Sequence, residues 1–125
     1  MPRPLIRCEL SRSGHGYPPH DLYVRRFWSA ALGPSAVTEL LRIARAARQG
    51  VKIRRPIHLQ SLMEAGLVRV ADGAIVIDER IPEVPPVLLR RMPASLRYAH
   101  DRWPGRLDRG RGSNRAGRRG RVRPR

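Results

Sequence analysis

Apolar residues return at helical spacing over three stretches of this chain and cluster as short strands over one more. Val37, Leu40, Leu41, Ala44 and Ala47 recur at intervals of three and four, which predicts an amphipathic helix over residues 35–49. Pro34 or Ser35 opens it and Gly50 closes it. Arg42, Arg45 and Arg48 fall on its more exposed side. Upstream, Asp21 is placed to cap a helix over residues 22–32, ended by Gly33, with Leu22, Phe27, Trp28 and Ala31 on one apolar stripe. Downstream, Pro56 suits the first turn of a third helix to residue 65, with Leu59, Leu62 and Met63 inward and Gly66 just beyond its end.

Residues 67–71 and 74–77 read as two strands. Asp72-Gly73 between them is a strong two-residue hairpin signal, because both positions tolerate positive φ. Pro82, Pro85 and Pro86 stiffen the next stretch, and Leu88, Leu89 and Met92 are apolar enough to pack. A last helix is predicted from residue 93 or 94 to about 102, offering Leu96, Tyr98, Ala99 and Trp103. Residues 1–20 read as an irregular arm broken by Pro2, Pro4, Gly14, Gly16, Pro18 and Pro19, with room for only a short strand at 5–10. From Pro104 onward Gly and Arg dominate, and such a segment buries too little surface to offset its ordering entropy. The expected organisation is therefore an arm (1–20), a domain (21–103) and a disordered basic tail (104–125). The expected fold class is mainly α with a small β-hairpin (α+β): a three-helix core plus a C-terminal helix.

Charge changes the picture from fold to partner. The chain of 125 residues carries a formal +16, with a pI near 11.8. Such a charge repels itself and attracts phosphate. Residues 101–125 hold ten Arg and two Asp, a net +8, and the first 100 residues hold the other +8. The folded part is thus basic without its tail. Lys52 is the only lysine; the Arg preference fits GC-rich codon usage, so the total charge carries the argument.

The run Ile57-His58-Leu59-Gln60-Ser61-Leu62-Met63-Glu64-Ala65-Gly66-Leu67-Val68, continued by Asp72-Gly73 and Ala74-Ile75-Val76-Ile77, is the most specific stretch of the chain. A helix with Leu at three-residue spacing ends in Ala-Gly-Leu-Val and passes directly into a tight hairpin. Over about residues 35–80 this resembles the recognition helix and wing of winged helix-turn-helix DNA-binding domains. The spacing departs from that family's, since only residues 50–55 separate the two helices. The resemblance implies a winged-helix-like core whose residues 56–65 enter the major groove. It offers His58, Gln60, Ser61 and Glu64 to the groove, with Gln suited to adenine and Ser or His to bases or phosphates. Arg54 and Arg55 would meet phosphate at the helix N-terminus, where the helix amides also attract anions. Arg69 would lie at the base of the wing, and Arg42, Arg45 and Arg48 would contact backbone. The tail arginines, Arg118 and Arg119 among them, would tether polyanions without sequence preference.

No catalytic constellation stands out, and no cofactor or metal is expected. His15, His20, His58 and His100 are scattered without HxH or HExxH spacing, and Gly14 and Gly16 build no phosphate loop. Cys8 is the only cysteine, so no internal disulfide can form. There is no apolar run of membrane-spanning length and no apolar leader at the N-terminus. The expectation is a cytoplasmic, nucleoid-associated nucleic-acid-binding protein and not an enzyme. It would be a small DNA-binding regulator or a phage or bacterial accessory factor, with duplex DNA favoured over RNA and a homodimer or protein partner open. An RNA- or ribosome-associated protein and a protein-interaction adaptor are the alternatives.

Overall fold

The computed structural model describes residues 4–105. These form two compact units divided after Arg91. In the first, strand β1 (Leu5–Ser11) leads into a π-helical turn (Val24–Trp28) continued by α1 (Ser29–Leu32), followed by α2 (Pro34–Gln49), β2 (Ile53–Arg54), α3 (Leu59–Glu64), β3 (Val68–Ala71), β4 (Ala74–Asp78) and the one-turn α4 (Pro86–Leu89). The second unit holds α5 (Ala94–Asp101), where the Arg102 guanidinium lies 4.5 Å from the Tyr98 ring centroid.

The strands form one mixed four-stranded sheet in the order β2-β1-β4-β3. This overturns the expectation of a mainly helical core carrying a small hairpin. The hairpin does form: Asp72 (φ 52°) and Gly73 (φ 75°) both adopt positive φ, and Val70 faces Ile75 across the β3–β4 ladder. It is, however, half of a larger sheet. The short strand for which residues 5–10 left room does form, as Leu5–Ser11, but instead of belonging to an irregular arm it is a central strand that pairs in parallel with β4, Cys8 opposite Ile75 and Leu10 opposite Ile77. On its other side β1 pairs with the two residues of β2. The core is therefore a sheet covered by helices and not a three-helix bundle with a wing.

Strand alternation explains which face is covered. Cys8, Val68, Ile75 and Ile77 are buried, while Arg7, Glu9 and Arg69 on the opposite face are exposed. Helix α2 lies across β1 and β4, and α3 lies against β3. The inward stripe of α2 is Ala36, Val37, Leu40, Ile43, Ala44 and Ala46, with Leu41 half-buried. The first predicted helix forms with Asp21 at its start, whose carboxylate accepts the Tyr23 N–H at 2.9 Å. Its register differs from the expected one. Leu22 is 65% exposed, and Tyr23, Val24, Phe27 and Trp28 are fully buried. The wider π-helical turn brings the adjacent Phe27 and Trp28 inward together.

That aromatic cluster fixes the segment after β4. Tyr17 stacks on Tyr23 at 4.1 Å between centroids, and Tyr23 meets Phe27 at 5.0 Å. The Tyr23 hydroxyl accepts the Val84 N–H at 2.9 Å, and the Trp28 indole N–H donates to the Pro82 carbonyl at 2.8 Å. Tyr17 and Ile81 exchange a pair of backbone hydrogen bonds of 2.8 and 2.7 Å. Gly16 (φ 138°) makes this approach possible, because a Cβ there would overlap the Ile81 carbonyl.

Among the described residues no helix is long and apolar enough to cross a membrane. The tail beyond Gly105, with Arg118 and Arg119, lies outside the described residues.

Candidate nucleic-acid interface

The candidate contacts divide into two groups that the fold treats differently. The first is on α2 and β2. The inward stripe of α2 leaves Arg42, Arg45 and Arg48 exposed, and Arg54 on the strand that follows and Arg55 just after it are exposed too. The Arg42 guanidinium donates to the Arg54 carbonyl across 3.4 Å, so the helix arginines and the β2 arginines form one continuous surface. Arg42 and Arg45 border a shallow concavity of about 320 Å³ with Thr38 and Leu41. Arg48 borders another, of about 730 Å³, that also contains Arg12. Arg12 does not stand out in the sequence; only the position of β1 beside α2 brings it to Arg48. Among the described residues, none of Arg12, Arg42, Arg45, Arg48, Arg54 or Arg55 is ion-paired, whereas Arg7 pairs with Glu9 and Arg69 with Asp78.

The second group is on α3 and the hairpin, and its polar atoms are largely engaged within the protein. Pro56 does not open the helix; α3 spans Leu59–Glu64, less than two turns. Glu39 on α2 occupies its N-terminal end, accepting the N–H groups of Ile57 at 2.9 Å and His58 at 2.7 Å. A carboxylate thus fills the position where Arg54 and Arg55 were expected to hold phosphate against the helix amides. Glu39 is the only acidic residue between Asp21 and Glu64, the one sequence signal that could have marked it. Gln60, the adenine-reading candidate, donates to Glu64 at 3.1 Å. Ser61 and Glu64 border an apolar notch with Leu32, Ala65, Pro85, Val87 and Leu88, so the exposed side of α3 is flanked by the residue 85–88 segment. Arg69 on β3 is paired with Asp78 at 3.2 Å, and Ser13 donates to the same oxygen at 2.9 Å.

Among the described residues no group of three or more His, Cys, Asp or Glu side chains could hold a metal. The Cys8 thiol is buried, and burial raises its pKa above the ordinary 9.0, with Arg42 pulling weakly the other way.

Compared with known proteins, the chain matches no family, no curated protein and no solved structure.

Proposed function

We propose that this protein binds nucleic acid through the phosphate backbone, using the α2–β2 arginine surface and the Arg/Gly-rich tail, with duplex DNA the first partner to test. The observation that carries the reading is the set Arg42, Arg45, Arg48, Arg54 and Arg55: five exposed guanidinium groups on α2, on β2 and just after it, none ion-paired among the described residues. A surface of this charge costs stability by self-repulsion and gains from counterion release on a polyanion. The α3 geometry supports backbone contact over base reading. The amides of Ile57 and His58 just ahead of it are held by Glu39, and its one adenine-type reader is tied to Glu64. Affinity would then be sequence-independent and steeply salt-dependent.

The test is a salt series on the full chain with duplex DNA and with folded RNA. The variant Arg42→Ala/Arg45→Ala/Arg48→Ala is compared with the unaltered protein and with Arg118→Ala/Arg119→Ala. Removing one phosphate-binding arginine flattens the log–log salt slope on duplex DNA by about 0.9, so the slope of the triple variant should be shallower by between about 2 and 3. An unchanged slope in the triple variant would reject the α2 surface. A slope reduced only in the tail variant would assign all affinity to the tail. Stronger binding to RNA than to the duplex would move the partner to RNA while keeping the surface.

A further inference from the structure

The aromatic residues of the chain are divided unequally between its two units. In the first, Tyr17, Tyr23, Phe27 and Trp28 are all buried, so the α2–β2 arginine surface offers no ring on which a base could stack. The second, residues 92–125, holds the other two, Tyr98 and Trp103. Trp103 is half-buried, whereas Tyr98 is 61% exposed.

The period of α5 accounts for that exposure. Leu96, Ala99 and His100 form its less exposed side, and Arg97, Tyr98, Asp101 and, just beyond its end, Arg102 form the other. Tyr98 and Arg102 stand one turn apart, which brings the guanidinium over the ring. The ring keeps its exposure with that guanidinium in place, so a face remains open to a partner. Around it the charge is one-sided. Residues 92–125 contain eleven Arg and two Asp, a net +9. Arg97 and Arg102 flank the ring, and neither is ion-paired among the described residues.

An open ring set among arginines suits a partner that carries negative charge and flat π faces together. Unpaired bases on a phosphate backbone supply both. A duplex encloses its base faces in the stack, and an acidic protein or anionic lipid surface offers the charge without the faces. We infer that Tyr98 is a stacking platform for an unpaired base of single-stranded nucleic acid, with Arg97 and Arg102 supplying charge to the flanking phosphates. The base lies on the open face of the ring and the Arg102 guanidinium backs the ring from the other. The inference rests on the reading above only in assigning the chain's positive charge to nucleic acid; it leaves duplex backbone to the α2–β2 surface and adds a second, single-strand site.

The experiment uses the full chain with three fluorescein-labelled probes: a short oligothymidine, the same backbone made abasic, and a duplex. Binding is read by anisotropy at an ionic strength of ~0.15 M. Tyr98→Ala should weaken oligothymidine binding at least about fivefold and leave the abasic strand and the duplex unchanged. Tyr98→Phe, which keeps the ring, should bind as the unaltered protein does. Tyr98→Leu, which keeps apolar bulk without a π face, should follow Tyr98→Ala. A strand carrying iodouracil should photocrosslink to Tyr98, as read by mass spectrometry. Oligothymidine binding indifferent to Tyr98→Ala overturns the proposal. So does an equal loss on the abasic strand, or crosslinks confined to the first unit. A duplex that binds while the single strand ignores Tyr98 rejects this site and keeps the α2–β2 reading; failure of all three probes to bind rejects both.

Discussion

The carboxylate of Glu39, midway along α2, lies 2.7 Å from the backbone nitrogen of His58 at the start of α3. With the second bond to Ile57, one side chain holds the amide of the N-cap residue and that of the residue before it. It also welds the two helices together. Bonds to a charged acceptor are among the stronger ones, so Glu39→Ala should cost about 2 kcal/mol in a urea titration of the full chain. Glu39→Gln, which keeps one acceptor oxygen, should fall between. A loss within about 0.5 kcal/mol, the range of ordinary surface changes, would show that solvent caps α3 equally well.

The Tyr23 hydroxyl is buried and holds the Val84 N–H. Tyr23→Phe keeps the ring stack on Tyr17 and strands that amide, so the expected cost is between about 1 and 3 kcal/mol. Hydrogen exchange at Val84 should accelerate more than global unfolding explains. Equal acceleration across the sheet would place the bond outside the local fastening of the segment.

Gly16 sits at φ 138° with the Ile81 carbonyl where a Cβ would be. Gly16→Ala combines backbone strain with steric overlap, and thermal unfolding should fall by an amount corresponding to about 2 kcal/mol or more. Gly33→Ala, where a Cβ meets open space, shares the positive φ without the overlap and should cost less. Equal losses in the two variants would mean that the Ile81 contact yields freely.

Burial raises the Cys8 pKa, which gives a defined pH dependence. In alkaline solution the unfolded thiol ionises first, so the folded state binds more protons there. Stability from this group is complete below the ordinary value of 9.0 and is lost as pH rises through the higher folded value. The difference in unfolding free energy between the unaltered protein and Cys8→Ala should stay flat below pH 9.0 and narrow above it. A difference that widens with pH would reverse the assigned direction.

Local patterns were readable where a local cause sets them. The α2 periodicity, its glycine end, Asp21 at the first helix start and the Asp72-Gly73 turn all depend on residues within a few positions of one another. Strand β1 was not readable in the same way. A short strand at 5–10 could be read there, but Pro and Gly crowd its flanks, and its central place in the sheet comes from a parallel partner more than sixty positions away, which leaves no nearby signature. The candidate site divides along the same line. The α2 arginines follow from the helix period, but the His58 amide, Gln60 and Arg69 are held by Glu39, Glu64 and Asp78, of which Glu39 is nineteen positions away and Asp78 is reached only across the hairpin. Arg12 enters the basic surface only through the sheet.

The parallel pairing of β1 with β4 also orders events in time. Synthesis delivers the central strand first and its partner about seventy residues later, so β1 waits without its ladder while α2, α3 and the hairpin emerge. Helices and hairpin can form from near neighbours, whereas closing the sheet must gather the two ends of the unit, a step that is slow for entropic reasons. During that interval the β4-side edge of β1 is open, and until β2 follows so is the other. The nascent chain is then most exposed to mispairing at the very strand that later joins the two halves of the sheet.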